Sequence, residues 1–447
     1  NHYTIIFTDR LSIRLDMFKT IRILLLLGLL IIASISIEAQ AATSTIEVLH
    51  VEGTIVPIVA DYIDRGISKA EDENAAACII ELNTPGGLMD TTQKIVQKIM
   101  KANVPVVVYV SPKGAWAASA GTFITLSAHI AAMTPGTTIG AAHPVTTGGE
   151  EISEDQMKKI TEFSAKWMKT IAEERGRNME EAQLAVTESK SFSDVDALNA
   201  NLIDLRANNL QSLISQINGR KVTLANGAEV SIDTTGYSTA RNEMNAIERF
   251  LQAISDPNIA YTLLSIGSLG IMVEIYNPGL IFPGVIGGIS LLLAFYSLGV
   301  LPVNYAGILL IVLAFGLFIA EVFTHSFGLL TAGGIASLVL GSLVLFQGGP
   351  LFSINPGLIA TITIIFVVFF AVAVPLIIRA HRRQAFTGRE ELSGKTAIVK
   401  RALDPEGMVL FKGELWTAVS ESGRVEPGEE VIINKVDSLK LYVSKKQ

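Results

Sequence analysis

Short apolar runs alternate with amphipathic stretches along the first half of the chain. The runs at residues 46–51, 77–82, 104–110 and 130–133 are bounded by turn residues, which predicts strands. The stretches at 60–73, 89–102, 115–128 and 154–175 carry apolar residues at helical spacing, which predicts helices. Strands that alternate with helices predict an α/β domain on a largely parallel sheet, here assigned to residues 42–240. Residues 241–257 are assigned as a linker.

A second pattern, continuous rather than alternating, covers residues 261–378. This block contains no Lys or Arg and only two carboxylates, Glu274 and Glu321, so we predict a membrane domain over 258–380 rather than a water-soluble core. Breaks at Asn, Pro and Gly divide it into helices at 261–276, 280–301, 306–323, 327–346 and 358–378. The first helix is short, and a re-entrant segment is the alternative to a crossing. The domain therefore has four to five transmembrane helices.

Residues 1–41 have the pattern of an N-terminal extension and a signal peptide. Basic residues precede the apolar run at 23–35, and Ala39 and Ala41 form a small-x-small cleavage site. An uncleaved anchor helix is the alternative, and Met17 is a candidate translation start. A signal places the α/β domain outside the cytoplasmic membrane, whereas the basic cluster at 379–383 favours the cytoplasm. The α/β domain outside and the basic cluster inside require an odd number of membrane crossings, which favours five over four.

The membrane block contains an internal repeat. Glu274 precedes Asn277-Pro-Gly279 and the pair Gly287-Gly288, and about 47 positions later Glu321 precedes another helix break and the pair Gly333-Gly334. This predicts two related hairpins whose glycines let helices approach closely. Carboxylates inside a membrane raise the hypothesis of an ion pathway. Because the block contains no basic partner, hydrogen bonding at the bundle interior is the favoured interpretation.

Charged residues return after residue 387, and the tail alternates at period two. Strands are predicted at 396–400, 407–413, 414–419, 430–434 and 439–443, with glycine turns between them. Five short strands in residues 387–447 predict a small all-β, OB-like barrel. Glu426, Glu429 and Glu430 lie beside these strands without a stripe of basic and aromatic residues, which argues against nucleic acid and favours a protein-interaction module.

Composition excludes several classes of protein. Hydrophobic residues make up 49% and charged residues 17% of the chain, which excludes a disordered protein. The net charge of −7 argues against a nucleic-acid partner, since phosphate binding requires a basic surface. The single cysteine, Cys78, excludes an internal disulfide framework and a cysteine metal cluster. We expect no cofactor and no metal.

Three turns follow predicted strands, at the sheet edge where ligands bind in α/β domains. The first, Asn83-Thr-Pro-Gly-Gly87, has two glycines whose N–H groups suit an oxyanion hole, although a simple tight turn is the commoner explanation. The second, residues 112–121, surrounds Ser119 with small residues, and a helix-capping serine is the alternative. The third, residues 133–144, contains His143.

These turns, with Glu173-Glu-Arg-Gly-Arg-Asn178, the membrane block and the β tail, resemble the NfeD-type membrane-bound serine proteases of the ClpP/crotonase superfamily. The resemblance covers nearly the whole chain after the signal. It implies a ClpP/crotonase-like fold and a Ser-Lys dyad, with Ser119 as nucleophile and Lys159 as its base. It also implies that Gly86 and Gly87 donate backbone N–H groups to the oxyanion. A lysine works as such a base only where burial or nearby positive charge lowers its pKa. Lys158 and Lys169 are neighbouring alternatives, and a solvated helix face is the ordinary explanation for any of the three.

His143 is the alternative base. It resembles the catalytic histidine of the soluble ClpP peptidases, which lies at a comparable distance after the serine. A histidine base needs an orienting carboxylate. The matching position falls near Ser189-Lys190, where no carboxylate occurs, although Asp194 and Asp196 lie close by in the chain. We therefore favour Lys159, with His143 lining the site.

The resemblance implies a membrane-anchored serine endopeptidase that cleaves hydrophobic segments of stomatin-like membrane proteins through an acyl-enzyme. Its expected partners are a stomatin-like protein, the lipid bilayer and at least a second copy of the chain, with no nucleic acid. The protease domain is expected outside the inner membrane and the C-terminal domain in the cytoplasm. A non-catalytic ClpP-like scaffold that organises a stomatin-type partner is the alternative. Acyl-CoA chemistry on a crotonase-like site is disfavoured, because that cofactor is intracellular.

Overall fold

The computed structural model describes residues 45–145, 153–324, 326, 328–346, 352–373 and 392–446. The chain divides into two compact units, Asn1–Ile364 and Ile365–Gln447, and each is described by itself. The predicted signal segment at 1–41 and the basic cluster at 379–383 lie outside the described residues.

The α/β domain is built on a six-stranded sheet with the strand order β11-β1-β2-β3-β5-β8, in which every pairing is parallel. A second sheet, β4-β6-β7, lies beside it, and β9 pairs with β10. The prediction of an α/β domain on a parallel sheet is confirmed. In chain order the elements are β1 Thr45–Glu52, α1 Pro57–Asp72, β2 Ala77–Asn83, α2 Met89–Met100, β3 Val106–Val110, β4 Trp116–Ala118, α3 Ala120–Ser127, β5 Ile130–Met133, β6 Thr138–Gly140, α4 Glu154–Glu174, α5 Met179–Thr187, β7 Ser191–Ser193, α6 Asp194–Asn199, β8 Leu205–Arg206, α7 Leu210–Ile217, β9 Lys221–Thr223, β10 Glu229–Ser231 and β11 Ser238–Arg241.

The centre of the sheet is buried on both faces. All five residues of β3 are buried, as expected for a parallel strand covered by helices on either side. One apolar cluster includes Val108, Phe123 and Met168 and packs α1 to α5 on one face. The other cluster includes Tyr109 and Leu213 and packs α7 on the opposite face. The sheet is therefore a rigid platform for the turns at its edge.

The predicted helix at 115–128 differs from the structure. Residues Trp116–Ala118 form strand β4, which pairs with β6, and helix α3 begins only at Ala120. The small side chains of this segment suit a helix locally, but pairing with β6 satisfies their backbone groups instead. The chain therefore turns from strand to helix at Ser119.

The predicted linker at 241–257 contains a helix, α8, at Ala246–Ile254. Asn245 caps its first turn by accepting hydrogen bonds from Ile247 N and Glu248 N. Glu248 is buried and forms an ion pair with Arg65 of α1, at 2.8 Å. This contact, distant in sequence, holds the segment as a helix against the α/β domain.

Apolar helices follow α8. They are α9 Pro257–Tyr276, α10 Ile281–Val300, α11 Tyr305–Phe323, α12 Leu329–Val344 and α13 Pro356–Val368, the last continued by a π-helical turn at Phe369–Ala373. By length and composition α9 and α10, with 20 residues each, can cross a membrane, and the other three are shorter. The first helix is thus longer than predicted, because it starts at Pro257 with Asp256 as its cap. Large apolar side chains such as Phe282 and Leu292 are more than two-thirds exposed at 76% and 70%, which suits contact with lipid.

The two hairpins predicted from the repeat are present, and both need their glycines. A Cβ on Gly287 would lie 2.8 Å from Ile271 N, and one on Gly334 would lie 2.5 Å from the ring of Phe318. The two carboxylates bond to backbone at the hairpin turns: Glu274 accepts from Gly279 N at 3.2 Å, and Glu321 accepts from Gly328 N and Thr331 N at 2.9 Å each. These bonds support the interpretation that both glutamates form structural hydrogen bonds rather than an ion pathway.

The C-terminal unit contains a closed five-stranded barrel with the order β12-β13-β14-β16-β15. Its strands are β12 Thr396–Arg401, β13 Glu406–Phe411, β14 Glu414–Ser420, β15 Glu430–Asp437 and β16 Lys440–Lys445. Alternate residues such as Val399, Val409 and Val431 fill the interior. The prediction of a small OB-like barrel is confirmed.

Candidate active site

The first two turns of the sequence analysis are joined by hydrogen bonds. Thr84, directly after β2, donates its N–H to Trp116 O at 2.7 Å and accepts from Ala118 N at 3.0 Å. Space is also limited here, since a Cβ on Gly121 would lie 2.7 Å from Thr84 Cγ2. The small residues around Ser119 therefore allow the first turn and the serine segment to pack together.

Ser119 lies at the corner between β4 and α3 in a strained conformation. Its φ is 51° and its ψ is −113°, a backbone conformation that residues other than glycine rarely adopt. Its N–H donates to Gly140 O at 3.0 Å, which ties the corner to the third turn. A sharp strand-to-helix turn of this kind, known as a nucleophile elbow, exposes the serine hydroxyl for reaction. The side chain is half-buried and makes no hydrogen bond with the described residues.

Two backbone N–H groups near this corner lack an acceptor among the described residues. Ala120 is the first residue of α3 and has no intrahelical acceptor. Gly87 N–H also makes no hydrogen bond, whereas Gly86 N–H donates to Thr84 Oγ1 at 3.0 Å. The expectation that Gly86 presents a free N–H group therefore differs from the structure, because the threonine side chain already uses it. The sequence reasoning missed Ala120, although its position after the serine at a helix start could have indicated it.

We expect Gly87→Ala to destabilise the first turn. The added Cβ would lie 2.2 Å from Ile55 O and 2.6 Å from Ile55 Cα, both backbone atoms held by bonds to Gly86 and Leu88. The backbone must move, at a cost of about 1–3 kcal/mol in the free energy of unfolding. Thermal unfolding measures it against Gly288→Ala, a helical glycine without a positive φ whose added Cβ would meet nothing within 4 Å. A loss no larger than that of the control would contradict the predicted clash.

His143 is oriented by a backbone carbonyl rather than by a carboxylate. Its Nδ1 lies 3.0 Å from Val186 O, and because a carbonyl only accepts, Nδ1 carries the proton and Nε2 is left as the acceptor. Asp194 accepts from Gly136 N and forms an ion pair with Arg206, and Asp196 accepts from Ser193, the N-cap residue of α6. Neither nearby aspartate contacts the imidazole. The half-buried histidine has a defined tautomer, but no hydrogen bond joins it to Ser119 within the described residues.

Lys159 lies in the second turn of α4 on an exposed face. No hydrogen bond or ion pair connects it to Ser119 or His143 in the part of the chain that the structure describes. Its neighbours Ile160 and Phe163 are also exposed, at 39% and 64%. Within the described residues the lysine and the serine are therefore not in contact.

Two arginines of the segment Glu173–Asn178 stabilise the serine helix, which is α3 and begins directly after Ser119. Arg177 is buried and donates to Leu126 O, Ala128 O and Leu202 O at 3.0–3.1 Å. Arg175 donates to Ser127 O at 2.8 Å, and burial together with the charge of Arg177 lowers the pKa of Arg175 to about 10. These bonds satisfy carbonyl groups at the end of α3. The sequence reasoning gave these arginines no structural role.

One further histidine is held neutral in this region. Burial and the charges of Arg175 and Arg177 lower the pKa of His129 to about 3. Its Nδ1 accepts from Val106 N at 3.1 Å, so the ring joins the serine helix to β3 as a hydrogen-bond acceptor. It is a structural residue rather than a second base.

A cavity of about 870 Å³ opens at the carboxyl ends of β1, β2 and β3. His50, Glu81, Ser111 and Thr134 line it, but Ser119, Lys159 and His143 do not. Among the described residues no group of three or more His, Cys, Asp and Glu side chains is arranged to hold a metal ion.

Three family descriptions match consecutive parts of the chain. They are the NfeD1b N-terminal domain at 45–236, the NfeD integral membrane domain at 258–375, and the NfeD-like C-terminal, partner-binding domain at 389–445. Membrane-bound protease PH1510 of Pyrococcus horikoshii is 38% identical over 434 residues, which span 94% of this chain and 97% of that protein. Membrane protein NfeD1b of Bacillus subtilis is 28% identical over 437 residues, which span 94% of this chain and 97% of that protein. A solved structure of the 1510-N membrane protease specific for a stomatin homolog, from Pyrococcus horikoshii, is 34% identical, with 48% of this chain and 100% of that chain covered and a TM-score of 0.43.

Proposed function

Because the chain belongs to the NfeD family of membrane proteins, we propose that it is a membrane-anchored serine endopeptidase. It cleaves hydrophobic segments of stomatin-like membrane proteins through an acyl-enzyme. The observation that carries the proposal is the strained corner at Ser119, with the N–H groups of Ala120 and Gly87 free nearby. A relative 38% identical over almost its whole length is named a membrane-bound protease, which supports the same activity.

In the proposed mechanism Ser119 Oγ attacks the scissile carbonyl while Lys159 Nζ takes the hydroxyl proton. The carbonyl oxygen becomes an oxyanion, and the N–H groups of Gly87 and Ala120 stabilise it. Collapse breaks the C–N bond, and the lysine returns its proton to the leaving amine. Water then attacks the ester on Ser119 with the lysine again as base, which releases the second product and regenerates the hydroxyl.

Lys159 must be desolvated before it can act as a base near neutral pH. The exposed apolar side chains of Ile160 and Phe163 surround it with surface that another chain can cover. A hydrophobic substrate segment or a second copy of the chain, bound across α4, would remove water from the lysine. We therefore propose that the active form is at least a dimer and that the dyad is completed on assembly or substrate binding.

We expect Lys159→Ala to abolish cleavage and His143→Ala to leave most of it. General-base catalysis contributes about 10²–10⁴-fold, so loss of the true base is readily measured. The assay uses the full chain in vesicles and a peptide from the hydrophobic segment of a stomatin-like protein. Lys158→Ala, one residue away and also exposed, is the matched control. The reverse result, with His143→Ala inactive and Lys159→Ala active, would assign the base to the histidine.

A non-catalytic scaffold is the second candidate, and the exposed position of Lys159 favours it. The match of the barrel to a partner-binding domain is compatible with either function. If the wild-type chain binds a stomatin-like protein but leaves it uncleaved, the scaffold replaces the protease.

For the topology we propose a multi-pass protein of the inner membrane, with the α/β domain outside and the barrel in the cytoplasm. Support comes from the match to an integral membrane domain and from the two 20-residue apolar helices α9 and α10. Reporter fusions after α8 and at the C-terminus would test it, and a cytoplasmic signal from the first would reverse the orientation.

A further inference from the structure

Helix α8 connects the α/β domain to the membrane helices and is held at both ends. Arg65 of α1 donates two bonds of 2.8 Å to the carboxylate of Glu248, and Gln252 Nε2 donates to Glu52 O at 3.0 Å. On the membrane side Ser297 Oγ of α10 donates to Ile254 O at 2.5 Å. Only Ser255 and Asp256 separate α8 from α9. The orientation of α8 therefore depends on its bonds to the α/β domain and to membrane helix α10.

Two large apolar side chains lie on the exposed side of α8. Ile247 and Phe250, three positions apart and so on one face of the helix, are 69% and 48% exposed. Glu248 points to the other side and is 7% exposed, whereas Ile254, four positions after Phe250 on the same face, is 4% exposed at the end of α8 that is bonded to α10. Within the described residues nothing covers the exposed pair. A helix with one apolar exposed face and polar neighbours is typical of an element that lies in a membrane interface.

The position of this face relative to the membrane helices identifies what covers it. Phe250 precedes Pro257, the first residue of α9, by seven positions, which is about 10 Å along a helix. Exposed apolar residues continue on α9 itself with Ile259 and Ile266. The apolar face of α8 is thus continuous in sequence with a surface that faces lipid.

We propose that α8 is an interfacial helix that inserts Ile247 and Phe250 into the bilayer surface on the side of the α/β domain. The bonds of Glu248 and Gln252 then fix the height and tilt of that domain above the lipid. Arg249, adjacent to Phe250, is 63% exposed and forms an ion pair with Glu243 at 3.9 Å. The inference depends on the membrane domain and not on the proposed proteolytic activity.

Depth-dependent fluorescence quenching tests this proposal on the full chain. Cys78 is the single cysteine and is 0% exposed, and burial raises the pKa of its thiol, so an introduced cysteine is labelled alone. Ile247→Cys and Phe250→Cys are labelled with bimane and reconstituted into phosphatidylcholine vesicles that contain a lipid with a nitroxide at carbon 5. Gln211→Cys on the exposed side of α7 is the aqueous control, and Leu292→Cys, 70% exposed on α10, is the lipid control.

We expect quenching at both α8 positions to exceed the Gln211→Cys signal several-fold and to approach that of Leu292→Cys. Quenching no greater than at Gln211 would overturn the proposal, as would disulfide-linked dimers of the Phe250→Cys chain, which would show that a second copy covers this face. Phe250→Trp, a conservative change at an exposed site, repeats the measurement with brominated lipids and without a label. Loss of tryptophan emission in those lipids supports the insertion, and unchanged emission relative to the wild-type chain counts against it.

Discussion

Ser119→Ala is expected to reduce peptide cleavage by about 10⁴–10⁶-fold, because the remaining groups cannot form an acyl-enzyme. The change removes one oxygen atom and leaves the alanine in a left-handed conformation that the surrounding bonds already enforce. The corner is held by Ser119 N–H to Gly140 O and by the bonds between Thr84 and β4, none of which uses the hydroxyl. The variant should therefore fold normally and bind substrate, and only the chemical step should fail.

The measurement is the cleavage rate of a hydrophobic peptide by the full chain in vesicles, together with mass spectrometry after a fluorophosphonate. A single adduct on Ser119 is expected in the wild-type chain and none in Ser119→Ala. Ser127→Ala is the matched control, since Ser127 is buried in the same helix and its Oγ donates only to Ile124 O at 2.8 Å. Cleavage that survives Ser119→Ala would exclude Ser119 as the nucleophile, whereas no cleavage by the wild-type chain would favour the scaffold function.

Arg177→Ala is expected to lower the free energy of unfolding by about 3–5 kcal/mol. The guanidinium side chain is only 3% exposed and forms a 2.9 Å ion pair with Asp204 besides its three carbonyl bonds. Removal leaves the carbonyl groups of Leu126, Ala128 and Leu202 buried without a donor and Asp204 without its counter-charge. Because two of these carbonyls end the serine helix, that helix should loosen first.

Thermal unfolding followed by tryptophan fluorescence measures this effect. Trp167 stacks on Phe123 of the serine helix, with 4.7 Å between ring centroids, so its emission reports on the affected region. A fall of about 10 °C in the midpoint corresponds to the expected energy for a domain of this size. Arg241→Ala, which removes an exposed arginine of the same domain, should change the midpoint little. Equal midpoints for the two variants would show that Arg177 is not a structural support.

The predicted fold class is confirmed for the α/β domain on a parallel sheet, the helical membrane region and the OB-like barrel. Each of these follows from local periodicity, because a strand, an apolar helix and a period-two hairpin each have a pattern within a few residues. The strands β1, β2 and β5 therefore lie close to their predicted bounds. Local periodicity gave wrong predictions at 115–128, predicted as a single helix, and at 241–257, predicted as a linker. There β4 and α8 are defined by partners distant in the chain, namely β6 and Arg65.

In the candidate site, too, some properties follow from the sequence and others only from the folded structure. Ser119, Gly87 and His143 were selected from turns at strand ends, and the structure places those turns together through the bonds of Thr84 and Gly140. The use of Gly86 N–H by Thr84, the free N–H of Ala120 and the exposed position of Lys159 are properties of three-dimensional contacts. No spacing in the chain reports whether a lysine is covered or open to water, although its strength as a base depends on that.

The sequence by itself determined the order of the domains, the membrane location of the apolar block and the residue types at the three turns. Those properties depend on composition and short-range pattern, which act over one element at a time. Only the tertiary structure decided that Ser119 lies at a strained corner, that Arg175 and Arg177 support its helix, and that α8 presents an apolar face beside α9. Each of these depends on atoms that are far apart in the chain and meet only after the sheet and the helices have packed.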